Sequence, residues 1–591
     1  MLKACRQVPQ RKSANFSSME TETLLQESVG SPVKSTAVFV RDLSLSVPNR
    51  RNKKETKFLL DNISFDLPEG TFTAIVGPSG CGKTTLIRLL AGLRNQTSGE
   101  VRLAGHTPGS LRAGLPLAIG YLPQFSALHD SLTVRETLED ALAIRLPGSV
   151  PKAQRRQWFN SVVDLAGLSG VLDQACETLS GGQKRRLSLA EELIGDPPFL
   201  FLDELTSGLD PNADLEMMQW MRDLVRRTGK TVVMVTHSVA NLDQCDKVLF
   251  LNAGKLLFAG APEEFLPAFG AGSIEEIYAT AGRYDAAPYE GDQAVPEPRP
   301  LKSSRPANAM SQFGILMRRQ VRLLFRDKGQ LGLQLLLLIS FPVLVAVFAL
   351  DGLPAVQSLS LEVETSVVEG LAEQLSYLKE SFDVASLVQG LAMFQVILLT
   401  LMGANNGARE IAKEAPILQK ELRAGLSAFS YCTTKVIQVT LFSAIQSFWM
   451  TWFVKEMCGF PGSFADQYMI LFLATAAMSN TCLLFSAISR TPEKASLLSI
   501  YLVGLQLPLS GAVLALPELL RWATQPVIAA YWGWSGYLRT LEMFRQYDVV
   551  QQASKTEIAI SSSSVVVLSA HIIVGWMLVV FAIKRSSFRS E

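Results

Sequence analysis

Gly77-Pro78-Ser79-Gly80-Cys81-Gly82-Lys83-Thr84 follows the apolar run Phe72-Thr73-Ala74-Ile75-Val76 and precedes a helix-forming stretch from Thr85 to Leu93. A strand, a glycine-rich turn and a helix opening on Lys-Thr are the parts of a phosphate cradle, G-x-x-x-x-G-K-[ST]. The glycines let the backbone of Gly77 to Thr85, Cys81 included, close around phosphate oxygens, and the helix N-terminus adds partial positive charge. Lys83 is then the side chain that neutralises the β- and γ-phosphates, and the Thr84 hydroxyl is placed to coordinate Mg²⁺.

Downstream, Phe199-Leu200-Phe201-Leu202 makes a buried strand that delivers Asp203 and Glu204 to its C-terminal end, where α/β ligands bind. Two acids at such a position could form a solvated turn; behind a phosphate loop they acquire a chemistry. Asp203 is placed to hold Mg²⁺ through water, and Glu204 to polarise the attacking water, because phosphoryl transfer depends on positioning and charge neutralisation. Leu179-Ser180-Gly181-Gly182-Gln183 precedes a helix carrying Lys184, Arg185 and Arg186. From Val38 onwards short β-branched runs alternate with helical stretches, which predicts an α/β domain with a sheet that is parallel at least in part.

The whole chain of 591 residues is long enough for two to four domains. It is 48% hydrophobic and only 18% charged, below the quarter usual in soluble proteins, and the deficit falls beyond residue 329. With 55 Lys and Arg against 54 Asp and Glu, the net charge of +1 argues against a nucleic-acid partner. Seven scattered cysteines without metal-ligand spacing suit a reducing cytosol. Residues 1–35 lack any hydrophobic period or secretory h-region and read as a disordered lead, and 271–310 as a Pro-rich linker.

Six windows carry no Asp, Glu, Lys or Arg: 329–350, 384–408, 436–454, 467–489, 495–517 and 558–583. Each has the length to cross a hydrocarbon core of about 30 Å. With six crossings the basic clusters before the first span, at Arg409 to Arg423, at Arg490 and Lys494, and after Lys584 share one side, which the positive-inside rule makes cytoplasmic. The shorter window 522–538, interrupted by Gly533, Ser535 and Gly536, reads as a re-entrant segment near the outer face.

Taken with Gln124 in Leu122-Pro123-Gln124, Ser207-Gly208-Leu209-Asp210 and His237 in Val235-Thr236-His237, the motifs above stand in the order of the ATP-binding cassette (ABC) family, which the chain resembles over about residues 36–270. The resemblance implies an α/β P-loop NTPase (ABC cassette) domain, here followed by an all-α six-helix transmembrane domain at 311–591. It implies ATP and Mg²⁺ as cofactors, Gln124 as the residue sensing Mg²⁺ and the membrane contact, His237 as the γ-phosphate switch, and Asp210 as a bridge between subunits. Ser180, Gly181, Gly182 and Gln183 would cap nucleotide held by another cassette, so a working site needs a second half-transporter chain, identical or different. The family's adenine-stacking aromatic is matched by Leu45, with Phe39 as an alternative.

A cassette that precedes its membrane domain resembles subfamily G, the white, multidrug and sterol half-transporters. Arg409 to Leu422 resembles that group's coupling helix, suited to docking near Gln124, although Gln183-Lys184-Arg185 departs from its usual Glu-Arg-Lys. The reading that follows is an ATP hydrolase with its cassette and both termini cytoplasmic, expected in the plasma membrane, exporting a hydrophobic or amphipathic small molecule or lipid across the bilayer. The alternative is a membrane ATPase that moves lipid or acts on a protein partner without solute transport.

Overall fold

The computed structural model describes residues 35–48, 56–125, 127–208, 210–280, 282, 284, 295–301, 305–349, 367–489, 491–513, 516–554 and 556–588. The expected lead falls outside them up to residue 34, as do Leu209 and much of the expected linker. All the elements below belong to the compact unit Thr36–Glu591.

Among the described residues nine strands form two sheets. In chain order they are β1 Thr36–Pro48, β2 Thr56–Pro68, β3 Phe72–Val76, β4 Ser98–Leu103, β5 Ile119–Leu122, β6 Phe199–Asp203, β7 Thr231–Val235, β8 Lys247–Asn252 and β9 Lys255–Gly260. The larger sheet runs β5-β6-β7-β3-β8-β9, parallel throughout except for the β8–β9 hairpin. The smaller, β2-β1-β4, is antiparallel. β3, β6 and β7 are buried at every residue, which is why they read as unbroken apolar runs: helices or a second sheet cover both their faces.

Period-two alternation divides their side chains between two cores. Phe72, Ala74, Val76, Leu200 and Leu202 join one with the helices Val134–Arg145, Gly181–Leu193 and Pro211–Thr228. Ile75, Phe199 and Phe201 join the other with the helix Lys83–Leu90 and the antiparallel sheet. The carboxyl ends of β3 and β6 carry the glycine loop and the acid pair, while Thr236 and His237 follow β7. Because these three strands are adjacent and parallel, the three motifs meet at one edge of the sheet. Within the stretch expected to be linker, Ile274–Thr280 is a helix whose buried Ile277 and stacked Tyr278 pack on this core, the tyrosine ring 5.6 Å from Phe250.

The second half is helical. Helices lie over all six uncharged windows, at Lys328–Val347, Val367–Gly407, Ala428–Cys458, Phe464–Ile488, Pro492–Leu509 and Ser561–Phe588. By length and composition, four are apolar enough to cross a membrane: Lys328–Val347, the helix within Gln374–Arg423, Phe464–Ile488 and Ser561–Arg585. Among the described residues the helices over windows three and five fall short of that measure, so four of the six expected spans are shown. Ala428–Cys458 is rich in polar side chains that pair with neighbouring helices: Gln446 exchanges amide hydrogen bonds with Asn406 at 2.8 and 3.2 Å, and Ser443 and Ser447 meet Ser479 and Thr475. Pro492–Leu509 opens on Pro-Glu-Lys and buries Gln506, whose oxygen accepts the Ala530 N–H at 2.9 Å.

Window 522–538 is not broken at its glycines. Ala529–Arg539 is one continuous, largely buried helix, about 16 Å long at 1.5 Å per residue and so too short to span. Gly533 sits where a Cβ would come 2.9 Å from that of Ala474, so its lack of a side chain allows close helix packing. Cys458 is buried, as are the other five described cysteines, all free.

Candidate nucleotide site

The turn from β3 into the helix Lys83–Leu90 is held by features only its own residues supply. Gly77 has φ 148°, and a Cβ there would fall 2.1 Å from the Leu251 carbonyl oxygen. Cys81 N–H donates to the Pro78 carbonyl, and its own carbonyl accepts from Gly254. Burial pushes the Cys81 thiol above its ordinary range, so at neutral pH it is an uncharged packing group. Lys83 is buried and donates from Nζ to the carbonyls of Gly77 and Pro78 at 2.8 and 2.9 Å, which keeps its ammonium inside the loop. Ser79 and Gly80 are exposed at the tip, and Thr85 is half-buried in the first helical turn.

Asp203 lies across from this turn. Thr84 donates its hydroxyl to Oδ1 of Asp203 at 3.1 Å, and Tyr121 donates to Oδ2 at 3.4 Å. Burial raises the Asp203 carboxyl above its usual range, with the Thr84 hydrogen bond and Arg88 pulling the other way. A hydroxyl beside a carboxylate, next to a buried ammonium in a glycine loop, is a donor set suited to a nucleotide with a hard divalent cation.

Glu204 adopts φ 53°, a left-handed backbone that turns its side chain out of the β6 strand. Gln124 donates from Nε2 to one carboxylate oxygen at 2.5 Å, and His237 lies 2.9 Å from the other through Nε2. Gln124, Glu204 and His237, drawn from three distant motifs, therefore form one hydrogen-bonded group. Gln124 has no hydrogen bond to Thr84 or Asp203 among the described residues; its amide meets Glu204.

Ser180 caps the helix Gly181–Leu193: its hydroxyl accepts the Gln183 N–H at 3.3 Å while Gln183 Oε1 accepts the Ser180 N–H at 2.9 Å. This capping box leaves the Ser180 O–H proton and the N–H groups of Gly181 and Gly182 facing outwards. No hydrogen bond among the described residues joins them to the phosphate loop. Arg185 of the same helix donates to the carbonyls of Leu205 and Ser207, which ties this helix to the segment after the acid pair. Asp210 caps Pro211–Thr228 by accepting from the N–H groups of Asn212 and Ala213.

Leu45 is buried and pairs with Leu60, and Phe39 is only 2% exposed, so neither ring nor side chain is open to a stacked base; the expected alternative at Phe39 is thereby corrected. Phe58, opposite Ser46 on β2, is 53% exposed, and nothing in its sequence context marks it as part of a site. The segment resembling a coupling helix is the helix Ala415–Arg423, which meets the cassette at Arg112, Tyr121 and Glu191. Around it burial raises the Glu414 carboxyl, but Lys435, His129, Arg319 and Lys413 outweigh this and bring it down to about 2. Burial, then Arg319, carries His129 down to about 4, so it faces this interface uncharged.

The parallel sheet with a glycine loop on one strand and paired acids on another, one strand away, defines a nucleotide-binding cassette, and the helical half places it on a membrane protein. The ABC transporter family model matches residues 60–207, and the ABC-2 type transporter model matches 311–534. The ABC transporter ATP-binding/permease protein Rv1747 of Mycobacterium tuberculosis is 32% identical over 83% of this chain and 56% of its own length. The Nod factor export ATP-binding protein I of Ralstonia nicotianae is 33% identical over 40% of this chain and 72% of its own. ABC transporter G family member 23 of Dictyostelium discoideum is 30% identical over 37% of this chain and 31% of its own. This chain thus spans little more than half the length of the mycobacterial relative. The chain belongs to the ABC transporter family, with its cassette ahead of an ABC-2 type membrane domain.

Proposed function

We propose that this chain is an ATP-driven half-transporter of the subfamily G type that pairs with a second half-transporter and exports a hydrophobic or amphipathic compound. The nucleotide-binding domain is 36–270 and the transmembrane domain 311–591, with six crossings, the cassette and both termini in the cytoplasm, and the plasma membrane as its site. The observation that carries the reading is Glu204, gripped by Gln124 on one oxygen and His237 on the other beside the Thr84–Asp203 pair.

A carboxylate has about four lone-pair positions, so these two contacts orient Glu204 and leave room to accept a proton from water. Lys83 exchanges its loop carbonyls for phosphate oxygens, and the backbone of residues 77–85 encloses them. Thr84 and Asp203 would hold Mg²⁺, which when bound supplies charge neutralisation at the β- and γ-phosphates. His237 is near enough to Glu204 to report the γ-phosphate to it, and Ser180 with Gly181 and Gly182 would cap the nucleotide of the opposite chain.

The test is the full chain reconstituted in lipid vesicles. Glu204→Gln is expected to lower ATP hydrolysis by about 10²-fold or more, the usual contribution of a positioned base, with ATP binding retained and ATP-dependent flux of labelled lipids or drugs abolished. An unchanged hydrolysis rate in that variant overturns the assignment.

A further inference from the structure

β5 leads into Tyr121-Leu122-Pro123-Gln124, and two of these four side chains reach the acid pair. Gln124 holds Glu204, while Tyr121, 5% exposed, donates to Asp203. The Tyr121 ring also lies under Arg423, whose guanidinium carbon is 5.9 Å from the ring centroid. Arg423 is the last residue of the helix Ala415–Arg423, which joins two apolar helices of the membrane half.

The same residue makes a further contact. Its carbonyl accepts from Arg112 at 3.5 Å, and Nε of Arg112 donates to the Ala91 carbonyl at 2.9 Å, at the end of the phosphate-loop helix. One turn earlier Lys420 pairs with Glu191 on the helix that Ser180 caps. The final turn of this docking helix therefore touches the helix that Ser180 caps and the strand beside Asp203, and it reaches the phosphate-loop helix through Arg112. Gly425, just beyond, has no room for a Cβ against Pro306 and Pro116, so the seat is closely packed.

We propose that Tyr121 is a positioning residue through which the seat of the docking helix sets the orientation of the Asp203 carboxylate, and with it the affinity of the site for a divalent cation. This rests on the reading of Asp203 as a cation ligand. Both Asp203 oxygens carry a hydroxyl hydrogen bond, which fixes the plane of the carboxylate. Partners that hold a ligating carboxylate from behind are worth about 10- to 100-fold in metal affinity. A guanidinium over a phenol ring is held by the ring's electron-rich face, and its positive charge makes the phenol a better donor. Moving Arg423 away weakens the hydrogen bond to Asp203, and by linkage cation binding favours the seated docking helix. The strand, the phosphate loop and the membrane half are thus joined within one chain, by a route other than Gln124.

The experiment uses the full chain in nanodiscs, in a Glu204→Gln background that does not turn over, with ATP present and Mn²⁺ as a paramagnetic probe. Tyr121→Phe, which keeps the ring and removes the hydroxyl, is expected to weaken Mn²⁺ binding by about 10-fold. ATP affinity measured without divalent cation stays at the parent value. Arg423→Gln weakens Mn²⁺ in the same direction, Arg423→Lys restores it, and the Tyr121→Phe/Arg423→Gln pair is no weaker than Tyr121→Phe alone, as expected for residues acting in series. Unmoved Mn²⁺ affinity in Tyr121→Phe overturns the proposal, as does full additivity of the two substitutions. If the parent itself holds no Mn²⁺ with ATP, it is the assignment of Asp203 that fails.

Discussion

Phe58 stands half exposed on β2, two residues before Leu60, whose side chain lies against Gly82 of the phosphate loop. It is an aromatic face open to solvent, whereas Leu45 and Phe39 are committed to packing. A base stacked on an aromatic side chain gains about 1–3 kcal/mol. Phe58→Ala is accordingly expected to raise the dissociation constant for ATP by about 10-fold, with kcat little changed, as read by equilibrium nucleotide binding and steady-state hydrolysis. The chemistry-bearing residues were legible in the chain because each belongs to a motif whose spacing is set by backbone geometry: Lys83, Thr84, Asp203, Glu204 and Ser180 sit at strand ends or helix starts. Tyr121 and Phe58 were not. An aromatic residue in a strand reads the same whether it fills a core, faces solvent or donates to a carboxylate.

At the scale of elements, the helix Ala309–Arg326 and the docking helix hold the two halves together through charge. Arg319, Arg322 and Arg326 recur at helical spacing and face Glu421, Asp140 and Glu136 respectively. Their amphipathic pattern was visible in the sequence; their partners, roughly a hundred or more residues away along the chain, were not. Arg319 is 3% exposed, so removing Glu421 or Arg319 alone leaves a buried charge without its counterpart, a loss of about 3–5 kcal/mol. Arg319→Met should therefore lower the thermal unfolding temperature of the purified chain markedly. Arg319→Met/Glu421→Leu should recover most of that loss, because two apolar groups satisfy one another. If the double substitution is as unstable as the single one, the pair is not what holds these two helices of the membrane half together.

For the whole molecule, the proposed function requires the phosphate loop of one chain and the capped signature helix of a second chain to share one nucleotide. Lys83→Ala and Gly182→Asp each abolish hydrolysis when expressed alone in this scheme. Co-expressed with different tags and purified through both, they leave one composite site with its wild-type loop and signature, and hydrolysis returns; its failure to return, with co-purification shown, removes the shared site. The sequence by itself determined the cassette, its reactive residues, its order before the membrane half and most of the helices there, because local spacing and apolar run length fix those things. Tertiary structure alone decided which neighbours satisfy the polar side chains of windows three and five, that Ala529–Arg539 is a buried helix, and that Arg423 rests on Tyr121 behind Asp203. Those outcomes depend on which side chains meet across distant parts of the chain, and such meetings are set by packing rather than by any pattern along it.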